Sequence, residues 1–284
     1  MFLILDIDII YMKWQNLFIN DIEAYSLHDN LSYVYDKLNL IKSQGMACGP
    51  VGIYPSKYPI CVKPVYNLYG GGRDVMKIEN VDDYEEFLSE WRPSGAFWMP
   101  LLKGKIYSID ILFNKGKVAF IDAFKNENSH DIFGLTTESK HSNSFSLSQS
   151  VVDFLERYIR NYTGPINIKI INNIIINIRL RWNRNNFIWQ KRSEYMKCIP
   201  LWLDKNTAFI PLVDDICYVS CYIERGSNER ENQRKLMQYQ ERYKIKLEDV
   251  NGFDQQDYLK IGVFITNSDE RHEIMEIKMK NNWI

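Results

Sequence analysis

Residues 58–78, YPICVKPVYNLYGGGRDVMKI, constrain the fold more than any other stretch. A short apolar run, 58–62, ends in Lys63-Pro64. Three consecutive glycines follow at 70–72, and 75–78 resumes strand-like alternation. The pattern predicts a strand, a glycine loop and a second strand. Glycine accepts positive φ and lets backbone N–H groups approach a ligand closely. A lysine on the strand entering such a loop adds a point charge, so phosphate is the natural guest. Three glycines in a hairpin are also simply a flexible turn, and the motif alone does not choose between the two.

The flanking sequence predicts alternating strands and helices. The apolar start, MFLILDIDIIYMKW, is interrupted by aspartates and reads as a first strand rather than a signal peptide. Residues 31–44 form a helical pattern with Val34, Leu38 and Ile41 on one face, and 81–91 form another with acids in its first turn. Strands are expected at 96–102, 106–113 and 117–123, the last two as a hairpin across Asn114-Lys115-Gly116. Residues 126–144 are polar and read as a loop; 148–162 read as a helix; 166–171 and 174–180 pair across Asn172-Asn173. Beyond these, short strands are expected over 199–222, one charged helix over 224–246, a strand over 258–266 and a terminal helix over 268–280 capped by Ser268.

Composition removes several classes. A net charge of −1 gives no global field to recruit nucleic acid or a membrane. The five cysteines have no metal-type spacing and predict free thiols in a reducing, cytoplasmic setting. No run reaches the roughly 18 apolar residues of a membrane span. The four histidines are scattered, with no nucleophile motif beside them.

Taken together, 37–183 resembles the ATP-grasp fold of carboxylate–amine ligases, which clamp ATP between two α+β lobes. VYDKL at 34–38 resembles the family's early lysine motif, CVKP at 61–64 its lysine-proline strand, and LYGGGRDV at 68–75 its flexible loop. FWMPLLKG at 97–104 resembles the interlobe hinge, IYSIDILF at 106–113 the following strand, and NIKIINNIIINIRLRW at 167–182 the hairpin that normally carries metal ligands. The resemblance implies an α+β chain: an N-terminal strand and helix (1–50), a small lobe (51–95), a large lobe (96–192) and a C-terminal α/β extension (193–284). It implies that Lys37 and Lys63 contact phosphate oxygens, and that Gly70, Gly71 and Gly72 close over them. Met99, Leu101 and Leu102 would hold adenine, and Lys125 and Arg181 would supply further cationic contacts. Each lysine also has a bland reading, as a solvated surface charge.

The departures concern the metal. Where the family carries acids and an asparagine on its last two strands, this chain carries Lys169, Asn177 and Arg179. Ala123 stands for the usual arginine ahead of Lys125, and Met99 and Ile106 for the usual glutamates near the hinge. From Asn167 to Trp189 there is no Asp or Glu in any register. Magnesium wants hard anionic oxygens, and charged lysine and arginine offer no lone pair. A cation about 5 Å from Mg²⁺ costs roughly 7 kcal/mol at an effective dielectric of about 20. ATP is therefore the implied ligand and magnesium a poor one.

Three functions are open to such a chain. The first is a nucleotide- or phosphate-binding ATP-grasp protein without metal-dependent ligation, a pseudoenzyme in a binding or structural role. A protein partner could then dock on its C-terminal region. The second is an active ATP-dependent ligase working through an acyl phosphate, with the metal held by Asp110, Asp122 or the substrate. The third is single-stranded nucleic-acid binding through 179–192, where Arg179, Arg181, Arg184, Lys191 and Arg192 interleave with Trp182 and Trp189. The plainer account of that run is a β-edge with tryptophans in the core.

Overall fold

The computed structural model describes residues 20–68, 74–90, 94–128, 136–142, 145–182, 217–224, 226–247, 254–255, 258–266 and 270–283. The expected first strand, the glycines at 70–72 and residues 183–192 of the basic-aromatic run lie outside them. The architecture is α+β, with two antiparallel sheets.

The N-terminal part holds helix α1 (Asp21–Leu27), a 3-10 helix (Asp29–Tyr35) and helix α2 (Lys37–Ser43). Asn20 opens α1 with a full capping box, its side chain accepting from Glu23 N while the Glu23 carboxylate accepts from Asn20 N. The single helix expected over 31–44 is split. Asp36 is extended (φ −74°, ψ 95°) and its carboxylate accepts from Asn39 N at 2.8 Å, so a capping aspartate starts a new helix at Lys37.

The smaller sheet has the order β1-β4-β2-β3. It is built from β1 (Gly49–Pro50), β2 (Ile60–Pro64), β3 (Met76–Ile78) and β4 (Ala96–Pro100), with helix α3 (Val81–Glu90) between β3 and β4. Ile60, Val62, Ile78, Tyr84, Phe87 and Trp98 form its core, and α3 buries the face carrying Tyr84, Phe87 and Leu88. Each such side chain contributes roughly 1.5–3 kcal/mol when fully buried.

The larger sheet is centred on β5 (Ile106–Asn114), β6 (Lys117–Asn128), β8 (Gly164–Ile171) and β9 (Ile174–Arg179). Its tight turns use left-handed backbone at Lys115 and Gly116, and again at Asn172 and Asn173. Strand alternation sorts the side chains. Ile109, Ile166, Ile168 and Ile178 enter a core shared with Val151 and Leu155 of helix α4 (Gln149–Tyr158) and with Ala24, Val34 and Leu40 of the N-terminal helices. The opposite face is polar: Ser108 stands across from Lys169 and Lys169 across from Asn177, while Asp110 stands across from Asn167 and Asn167 across from Arg179.

Three sequence expectations are corrected here. The polar stretch 126–144 is not all loop: β6 continues to Asn128 and Thr136–His141 is a strand, β7. Its polar composition is offset by hydrogen-bonded neighbours on both sides, β6 and β10 (Cys217–Glu224). The charged segment 224–246 is not one helix but helix α5 (Glu229–Met237), capped by Asn228, followed by strand β11 (Lys244–Leu247). The terminal helix α6 runs Arg271–Lys280 with Glu270 at its cap position and no side-chain cap bond; Ser268 lies outside the described residues. Strand β12 (Asp254–Gln255) and β13 (Tyr258–Thr266) complete the set, and the path β11-β13-β10-β7-β6-β5-β8-β9 makes the C-terminal strands part of the same sheet.

Among the described residues β9 ends the sheet, and side chains bond part of its outer edge. Gln44 Oε1 accepts from Ile175 N at 2.8 Å and Gln44 Nε2 donates to Ile175 O at 2.8 Å. Tyr35 Oη accepts from Leu180 N at 3.1 Å.

Candidate functional site

A cavity of about 320 Å³ lies where the two sheets meet. Its apolar side is made by Cys61, Met99, Leu101, Leu102 and Ile176, which belong to a cluster bridging β2, β4 and β9. Met99 is set by its pairing with Cys61, and Leu101 by a hydrogen bond from its N–H to Pro59 O at 3.0 Å. Gly104 closes this end with φ +145°, and a Cβ there would meet Asn172 Oδ1 at 2.5 Å. Only glycine suits that backbone and that gap.

The other side is cationic. Lys37 from α2, Lys63 from β2, Lys169 from β8 and Arg179 from β9 all line the cavity, with Asn67 and Asn177 between them. Lys63 Nζ lies 5.5 Å from the Phe97 ring centroid and donates to Ile176 O at 3.4 Å, so it reaches from the small sheet to the large one. Each lysine has a reason to lose its proton. Burial lowers Lys37 well below the ordinary lysine value, and Lys63, Arg179 and Lys169 add to the effect while Asp21 opposes it. Burial also lowers Lys63. Lys169 is brought down to about 8, first by burial and then by Arg179 and Arg181.

Behind the cations sits one acid. Asp21 is 3% exposed and holds Arg181 through two bonds, Nε at 2.6 Å and Nη2 at 2.9 Å, and it also meets Arg179 Nε at 3.3 Å. Arg181 is therefore directed at Asp21 and does not line the cavity. Lys125, on β6 opposite Tyr107 and Lys140, does not line it either. Lys37, Lys63, Met99, Leu101 and Leu102 are brought together. Lys169, Asn177 and Arg179 join them because the β8–β9 register turns all three to one face. Asp21 was not legible, since nothing near it in sequence points to a partner 160 positions away.

Among the described residues, the cavity lining contains no Asp or Glu to offer the anionic oxygens that magnesium takes, and no cluster of three metal-ligating side chains occurs. Asp110 is fully buried and accepts from Asn167 Nδ2 at 2.8 Å; neither it nor Asp122 lines the cavity. The arginine-tryptophan run also has a structural explanation as far as it is described, with Arg179 and Arg181 on Asp21 and Trp182 only 2% exposed. No described helix is long and apolar enough to cross a membrane.

The lowered lysines give the empty protein a signed pH response. A folded pKa near 8 against the ordinary 10.5 at Lys169 means that the unfolded chain holds the extra proton between those values. The penalty is full below the lower value and gone above the upper one, so stability rises with pH across that window. Urea titrations are expected to show a gain on the order of 1–2 kcal/mol between about pH 7.5 and pH 9.5. In Lys169→Met the slope should flatten. Tyr35, held up at about 12 by burial, works the other way only at higher pH.

No family model and no curated protein matches the chain. Its structure does have relatives. L-amino acid ligase from Bacillus licheniformis aligns over 89% of this chain and 72% of its own at a TM-score of 0.58 and 13% identity. N5-carboxyaminoimidazole synthetase from Staphylococcus aureus, complexed with ADP, aligns over 86% and 71% at a TM-score of 0.61 and 14% identity. Carboxyaminoimidazole ribonucleotide synthase from Aspergillus clavatus, complexed with ATP, aligns over 87% and 72% at 0.58 and 12%. Two facing sheets with a cleft between them, matched over most of the chain to these ligases, identify this protein as having the ATP-grasp fold.

Proposed function

We infer that the chain is a nucleotide-binding protein of the ATP-grasp fold in which metal-dependent ligation has been lost. The observation that carries this reading is the division of one cavity into an apolar end and a cationic end. An adenine ring suits Met99, Leu101 and Leu102, and a phosphate chain suits Lys37, Lys63, Lys169 and Arg179. Covering the phosphates is the role that the resemblance gives the glycines at 70–72, which lie outside the described residues. Arg181 acts through Asp21, which sets the position of Arg179. Two of the structural relatives carry ADP or ATP, and this supports nucleotide as the ligand class.

The loss of ligation is argued from charge. Phosphoryl transfer to a carboxylate relies on metal ions and cationic clamps to position the phosphate and spread its charge. Here a cationic cluster lines the cavity, and the positions that resemble the metal ligands carry Lys169, Asn177 and Arg179. The test is calorimetric titration of ATP into the full chain and into Lys63→Ala, with an assay of ADP release over a panel of carboxylates and amines. Binding weakened roughly tenfold or more in Lys63→Ala, without ADP release, is the expected result. No nucleotide binding would remove the reading, and amine-dependent ADP release would establish an active ligase instead.

A further inference from the structure

We propose that the cleft takes a polyphosphate chain as the bare anion, with no divalent cation between ligand and protein. The adenine end of this picture rests on the nucleotide reading above, but the phosphate end stands on its own geometry. Four cationic side chains from α2, β2, β8 and β9 converge on one cavity whose described lining residues include no carboxylate. The acid nearest to them, Asp21, reaches Arg179 and Arg181 from beneath and is already shared between the two. Asp110, one strand further along the same face, is taken by Asn167. Three buried lysines beside an arginine already shared with Asp21 leave the cavity with excess positive charge when protonated, and what relieves it is an anion. Metal-free ATP has about four negative charges at neutral pH and above. Its magnesium complex has half of that, and the metal would sit against Lys169 or Arg179.

Anion capture by these lysines is linked to protons. In the empty cleft Lys169 loses its proton from about pH 8 upward, and Lys37 and Lys63 are also held below their ordinary values. A bound phosphate favours the charged lysines, so binding takes protons from solution. Affinity then falls as pH rises through the lysine range.

The experiment uses the full chain and two probes, ATP and inorganic tripolyphosphate. Each is titrated calorimetrically without divalent cations and again with excess magnesium chloride. The metal-free titrations are repeated at about pH 9 in two buffers of different ionisation heat. The expected result is metal-free binding, weakened roughly tenfold or more by magnesium, with uptake of about one proton that diminishes in Lys169→Met. ATP binding that requires or is tightened by magnesium overturns the proposal and leaves the nucleotide reading intact. Tripolyphosphate binding without ATP binding supports the proposal and overturns the nucleotide reading. Binding of neither overturns both, and heats independent of buffer overturn the proton linkage. The wild-type titrations decide the metal question even if the variant fails to fold.

Discussion

Asp21→Asn is expected to lower the stability of the protein by about 3–5 kcal/mol, more than any other single polar change described above. The carboxylate is buried and makes two bonds to Arg181 and a third contact to Arg179. Asparagine keeps the shape and one acceptor but loses the charge. Two guanidiniums would then be left in a low-dielectric region beside Lys37 and Lys169, and arginine does not escape by losing its proton. Urea denaturation at neutral pH measures the loss. Polyphosphate should return part of it, because a ligand that binds only the folded state adds stability by mass action. A variant as stable as the wild type would mean that the Asp21 charge does not hold the arginines.

Lys169→Glu is expected to move stability and binding in opposite directions. The substituted carboxylate would face Arg179 and Arg181, the two charges that now depress Lys169. It would also stand across the ladder from Asn177. Unfolding free energy should rise by about 2 kcal/mol, and affinity for metal-free ATP should fall by about a hundredfold, near 2.7 kcal/mol. Parallel denaturation and calorimetry read the two effects on one preparation. A loss of both would mean that Lys169 supports the fold through packing. A loss of neither would place it outside the binding surface. The opposed signs express a general trade: a site that holds like charges together for a ligand is less stable without it.

Much of the scaffold was legible because local rules agreed with one another. Asn172-Asn173 and Lys115-Gly116 tolerate left-handed backbone, so the turns that pair β8 with β9 and β5 with β6 stand out in the sequence. Ile60–Pro64 and Ala96–Pro100 are short apolar runs between breakers. The misreadings came from interactions the local sequence does not contain. Thr136–His141 has a loop's composition and is a strand because it has partners on both sides. The run 31–44 reads as one helix because its apolar spacing does not register what the Asp36 side chain does to the backbone.

The cleft was half legible for the same reason. Lys37, Lys63 and the hinge residues sit in recognisable strings, and the absence of acids over 167–189 is a property of the string itself. Which lysines meet is a matter of register and of two sheets facing each other. Lys125 and Arg181 have the right residue type for phosphate, yet one sits on β6 away from the cavity lining and the other faces a carboxylate from α1.

The last strand of the large sheet ends in borrowed groups, and that bears on how the molecule behaves in a crowded solution. A bare strand edge is a template on which another chain can nucleate aggregation. Along β9 and at Leu180 just past it, part of that template is already occupied, by an amide from Gln44, a phenol from Tyr35 and an ammonium from Lys63. The first two belong to helical segments and stay put. The third is also a candidate phosphate contact, so a ligand that draws Lys63 away would free the carbonyl of Ile176. Among the described residues, ligand binding and the covering of this edge therefore meet at that backbone acceptor.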